Sequence, residues 1–81
     1  MPIALSTHCG IKEMRIGASY YLADHPLDDG NGNPPAGWAN PFQQGTVTTP
    51  SPSVAIFRDS AGHVVSFHVR PGATNFLEIC D

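Results

Sequence analysis

PSVAIFRDSAGHVVSFHVRPG, residues 52–72, decides the fold class. Two runs rich in Val, Ile and Phe flank Asp59-Ser60-Ala61-Gly62. β-Branched and aromatic side chains suit a pleated, half-buried surface. The tetrad suits a type I turn whose glycine adopts positive φ and forms a bulge. The stretch therefore reads as a β-hairpin, ended by Pro71-Gly72. Pairing Arg58 with His63 sets Ile56 opposite Val65 and Val54 opposite Phe67. Val54, Ile56, Val65, Phe67 and Val69 are then the expected core stripe, with Ala55, Phe57, Val64, Ser66 and His68 on the other face.

Working outward, IKEMRIGASYYLAD (residues 11–24) forms a second hairpin if Gly17-Ala18 is a two-residue turn. Met14 then faces Tyr21 and Arg15 faces Tyr20. The period is less clean here, and a short helix over residues 11–16 is the alternative. GTVTT, residues 45–49, reads as a strand ending at the stiff connector Pro50-Ser51-Pro52, and NFLEIC, residues 75–80, as the final strand. The sum is an all-β single domain over residues 1–81. It is a small barrel or sandwich of five to six short strands with one long Gly/Pro-rich loop.

That loop spans residues 24–45 and holds four of the eight prolines, four of the eight glycines, three of the seven acids and no base. Loops this long in a compact domain are functional or disordered, and disordered segments lack aromatics, whereas this one carries the only Trp, Trp38, and Phe42. Either the two aromatics fold back and cap one end of the barrel, or they anchor a recognition loop with Pro34-Pro35 as a polyproline surface. Asp29, Asn31 and Asn33 alternate as calcium ligands do. An EF-hand counted from Asp29 needs Gly and Glu where Pro34 and Asn40 stand, and the match fails.

Composition bounds the partners. The net charge is −3 with only Lys12, Arg15, Arg58 and Arg70 as bases. Nucleic acid and anionic membrane require clustered Lys and Arg, and no apolar run approaches membrane-spanning length. The short, uncharged N-terminal stretch before Lys12 is unlike a signal peptide, which points to the cytoplasm. Cys9 and Cys80 near the two ends are an expected disulfide, worth on the order of 4 kcal/mol through the long loop it closes, and such a bond would place the chain outside the cytoplasm. Two buried thiols are the alternative. Zinc would need closely spaced ligand pairs, which adjacent His8 and Cys9 do not supply. No cofactor, metal or nucleophile motif stands out. His63 reads as a turn flank, His68 as an exposed strand position and His25 as a loop residue.

His8-Cys9-Gly10, Pro34-Pro35 with Gly37-Trp38, Asn40-Pro41 and the near-terminal Cys80 resemble a group of small uncharacterised proteins of actinobacteria and their mobile elements. The resemblance covers nearly the whole chain. It implies a self-contained bacterial domain and transfers no activity.

The resulting expectation is a non-enzymatic binding module with a protein partner. The 28–44 loop presents Trp38 and Phe42 as anchors, Asp28 and Asp29 on the rim, and Asn31, Pro34 and Pro35 between them. Two rivals are a small acidic inhibitor or accessory protein of a phage or mobile element, and a small metal-dependent enzyme or metal-binding protein.

Overall fold

A computed structural model describes residues 1–77. Every regular element in them is a strand: β1 (Pro2–Ser6), β2 (Ile11–Ile16), β3 (Ser19–Leu27), β4 (Phe42–Ser51), β5 (Val54–Arg58) and β6 (Val64–Val69). They form one antiparallel sheet ordered β1-β4-β5-β6-β3-β2. The sheet curls until β1 lies against β2, giving a nearly closed barrel. Counted across that seam, the order 4-1-2-3 is a Greek key, and the long connection from β3 to β4 is the return that such a key requires.

Each strand turns its inward positions to a shared core: Leu5, Ile11, Met14, Tyr21, Ala23, Val47, Ala55, Phe57, Val65 and Phe67. Size alternates across neighbours. Phe67 pairs with Ala23 on one side and Ala55 on the other, while Phe57 lies between Val47 and Val65. Large rings beside small side chains fill a narrow barrel without voids.

The β5–β6 hairpin corrects the expected register. Arg58 pairs with Val64, not His63, and Phe57 pairs with Val65. The anticipated bulge is the cause. Gly62 at φ +92° bonds its N–H to the Asp59 carbonyl, and the Asp59 N–H bonds to the His63 carbonyl. Gly62 and His63 thus both answer Asp59, and this extra residue moves the ladder by one place. A one-residue shift reverses the faces of one strand against the other. Val65 and Phe67 are core, as expected, and Val69 packs half-buried against it. Ala55 and Phe57 are buried inward, whereas Val54 and Ile56 are only half-buried.

The first hairpin has the expected register, with Met14 opposite Tyr21 and Arg15 opposite Tyr20; residues 11–16 are strand, not helix. β3 runs further than expected, through Asp24, His25 and Pro26 to Leu27, so His25 is an exposed strand residue. The register of β2 against β3 shifts between Ile11 and Glu13, opposite the stretch where Pro26 has no N–H to give. β4 extends at both ends of the expected strand. It crosses Pro50 by a second shift between Thr48 and Ser51.

Among the described residues the sixth strand is β1, which the sequence did not announce. Residues 75–77 form no strand. The Leu77 N–H donates to the Glu13 carboxylate at 2.9 and 3.1 Å, Arg70 reaches the same carboxylate at 3.4 Å, and Phe76 packs edge-on against Tyr20 with ring centroids 5.0 Å apart. A side-chain acceptor has replaced a backbone ladder. The expected Cys9–Cys80 bond and the rest of that strand involve Cys80, outside the described residues; Cys9 itself is half-buried between β1 and β2. No helix among the described residues is long and apolar enough to cross a membrane.

Candidate functional site

Three connections meet at one end of the barrel: residues 7–10, the long loop 28–41 and the β5–β6 turn 59–63. Their lengths follow from the strand bounds. The loop is shorter than the sequence suggested because β3 takes its first residues and β4 its last.

Its central part is built on Pro35-Ala36-Gly37-Trp38. The Trp38 N–H bonds to the Pro35 carbonyl, and Gly37 takes φ +95°, the positive value a type II turn demands at its third residue. The turn drives Trp38 back onto the barrel. Its ring stacks on His63 at 3.8 Å between centroids and 13° between planes, and on Phe57 at 6.0 Å. Trp38 is half-buried and packs against the core, so it caps the barrel end. Phe42 does not fold back beside it. It begins β4, opposite Ser6, and is 56% exposed.

The loop is also held from below. Thr7, fully buried, donates its hydroxyl to the Ala39 carbonyl, and its N–H bonds to the Pro41 carbonyl at 2.8 Å. His8 Nδ1 contacts Asn40 Oδ1 at 3.1 Å, and the Ala39 N–H donates to Gln43 Oε1 at 2.7 Å. The Asn40-Pro41 peptide is cis. Asn40-Pro41 thus serves as the tether that binds the loop to the β1–β2 connection. Sequence reasoning missed Thr7, since an isolated threonine carries no signal of its burial.

Asp29 organises the early loop. Its Oδ1 accepts the N–H groups of Asn31 at 2.7 Å and Asn33 at 3.2 Å, while Asp28 Oδ1 accepts that of Gly30 at 2.7 Å. The Asn31 N–H, aided by Asn33, holds the Asp29 carboxyl below its usual pKa. Asp29, the first of the alternating positions that resemble a calcium loop, thus turns an oxygen onto the loop's own backbone. Among the described residues no group of three or more His, Cys, Asp or Glu converges on one point. Asn31 is exposed, and Pro34 and Pro35 are half-buried.

Asp59 is the second organiser. Its side chain is 0% exposed, its Oδ1 accepts the Ala61 and His63 N–H groups at 2.9 and 3.0 Å, and its Oδ2 lies 2.6 Å from His63 Nδ1. Burial pushes this carboxyl up, but the hydrogen bonds and charge of His63, with the Ala61 N–H, outweigh it and hold its pKa below the usual range. The carboxylate is therefore the acceptor, and His63 Nδ1 carries the proton. This fixes the imidazole plane on which Trp38 stacks. Asp59 orients His63 as an acid orients a catalytic histidine, yet every hydrogen bond His63 makes among the described residues goes to Asp59. Among the described residues no nucleophile is hydrogen-bonded to its ring.

The acid limit of this cap follows. A carboxyl whose folded pKa is depressed contributes stability fully present above its unfolded value, about 3.9. That contribution is lost as pH falls through the folded value. The urea midpoint of unfolding should therefore begin to fall as pH drops below about 4, in an acid transition to which Asp59 contributes. Asp59→Asn should change the Trp38 fluorescence already at neutral pH and flatten the acid transition. A transition unaltered by that substitution would refute the role of Asp59.

His68 and Asp24 form a separate exposed pair on the outer face, 2.7 Å apart, joining β6 to β3. No family model, curated protein or solved structure matches the chain, so the site is read from its own chemistry.

Proposed function

We propose that the protein is a binding module for another protein, and that the end of the barrel carrying the 28–44 segment is its docking face. The observation that supports this most is the division of labour between the two aromatics. Trp38 is committed to the core and locks the loop, while Phe42 stands exposed at the start of β4, beside that locked loop. A large apolar side chain presented by a pre-ordered scaffold is the usual form of a binding hot spot, because little conformational entropy is lost on docking. Asp28 and Asp29, both exposed, give the face an acidic rim. Pro34 and Pro35 stiffen it.

Phe42→Ala should leave the melting temperature nearly unchanged, as exposed substitutions do, and weaken the partner by about thirtyfold, the effect of losing a hot spot of about 2 kcal/mol. The check is affinity capture from the source organism with wild-type and variant domains side by side, followed by calorimetry on the captured partner. Equal capture by both would refute the assignment of this face.

A further inference from the structure

Beside Phe42, the outer surface of β4 continues as a built recognition strip. Phe42, Gln44 and Thr46 alternate outward and are all exposed. Their partners on β1, in the same order, are Ser6, Ala4 and Pro2, small and exposed, so Phe42 stands above a low floor. On the other side β5 brings Arg58 opposite Thr46. Gln44, Thr46, Arg58 and Ser60, with Gly45 and Asp59, line a shallow groove of about 350 Å³.

Among the described residues the Arg58 guanidinium makes no ion pair. The only hydrogen bond of the Arg58 side chain among the described residues is Nη1 to Thr48 Oγ1 at 3.5 Å, the weak limit of such contacts. Its neighbour Asp59 gives it no hydrogen bond, because both Asp59 oxygens are turned into the hairpin loop and occupied by Ala61 and His63. The other acids with ion-pair contacts, Glu13 and Asp24, face Arg70 and His68. A guanidinium offers five donors in a planar fork that fits a carboxylate bidentately. The side chains of Gln44, Thr46 and Ser60 add an amide and two hydroxyls.

Resting on the docking face proposed above, we infer that this strip takes an extended acidic segment of the partner protein. Arg58 binds its carboxylate, Gln44 and Ser60 flank it, and Phe42 receives an apolar side chain two to four residues away. The spacing follows from the strand rise of about 3.3 Å per residue between the Phe42 and Thr46 positions. The guanidinium fork of Arg58, with no carboxylate bonded to it among the described residues, selects the acid. The openness of the groove selects a segment over a free carboxylate, since a small anion would meet only the polar groups of the groove while a chain also reaches Phe42.

The test is an NMR titration of the intact domain with the blocked peptide acetyl-Leu-Ser-Ser-Glu-Ser-amide, its Gln-for-Glu analogue, and sodium acetate. The expected result is perturbation of the amides of residues 42–46 and 58–60 by the Glu peptide, weakened by salt. Binding should be at least about tenfold weaker for the Gln analogue and for Arg58→Gln, as loss of a charge-assisted bidentate pair requires. Arg58 is exposed, so the variant folds. Equal binding of the two peptides, binding unaffected by Arg58→Gln, perturbation elsewhere, or none at millimolar peptide would overturn the inference. So would acetate matching the peptide, which would make this a small-anion site. If Phe42→Ala abolishes partner capture while Arg58→Gln leaves it intact, the docking face stands and only the acidic segment is refuted.

Discussion

Replacing Phe57 by Ala should lower the free energy of unfolding by roughly 3–5 kcal/mol, the usual cost of emptying a buried aromatic position. Ile56→Ala, one residue earlier in the same strand, should cost no more than about 1 kcal/mol. A domain of this size has about 4–12 kcal/mol of stability in all, so the first substitution removes a large part of it. Phe57 is 0% exposed and lies between Val47 and Val65. It is also the ring on which Trp38 stacks, so its loss empties the barrel end and frees the cap together. Ile56 pairs with Thr48 and Ser66 and is half-buried on the outer surface. Urea denaturation of the two variants, followed by Trp38 fluorescence and far-UV circular dichroism, measures both. The reverse ranking would mean that β5 presents its other face and that the hairpin lacks its bulge.

Gly45→Ala should be the second severe substitution, costing roughly 1–3 kcal/mol or more as overpacking does. Gly45 lies inward on β4, opposite Ile3. A Cβ there would stand 2.5 Å from the Arg58 carbonyl oxygen and 2.5 Å from Cζ of Phe57. Neither neighbour yields cheaply, since one is backbone and the other a buried ring. The φ of Gly45 is not positive, so the cost arises from space rather than backbone strain. Gly45→Ala and Phe57→Ala should therefore be non-additive. Removing the ring relieves part of the clash, and the double variant should be less destabilised than the sum by about 0.5–3 kcal/mol. Additive effects would show that the ring and the glycine do not meet. Thermal unfolding of the two singles and the double closes the cycle.

Local chemistry made several features legible in advance. Gly17-Ala18 between alternating runs specifies a two-residue hairpin, and its register was right because such a turn leaves no residue uncounted. Asp59 to Gly62 announced a bulged turn. What went astray was the count. The bulge sets two residues against one, so the stripe on β5 moved from Val54 and Ile56 to Ala55 and Phe57. Hydropathy could not arbitrate, since Val54-Ala55-Ile56-Phe57 is apolar on both faces. β1 was illegible for a related reason: Pro2, Ala4 and Ser6 give no strong outward signal, and Leu5 alone is deeply buried. Its strand state comes from pairing with β4. In the loop, Pro35-Ala36-Gly37-Trp38 declared a turn, but the destination of its indole was undetermined.

What the sequence determined by itself is therefore local: β-rich runs, the turns that separate them, and a Gly/Pro-rich connection that cannot be regular. These depend on dihedral preferences and on side chains a few residues apart, which the chain carries wherever it goes. The tertiary structure decided which face of β5 became core and that residues 2–6 form a strand. It also sent Trp38 inward onto His63 and Phe57, left Phe42 exposed, and set Arg58 opposite Thr46 on the same side of the sheet. Each of these follows from contacts between residues distant along the chain, whose energies exist only once the barrel has closed.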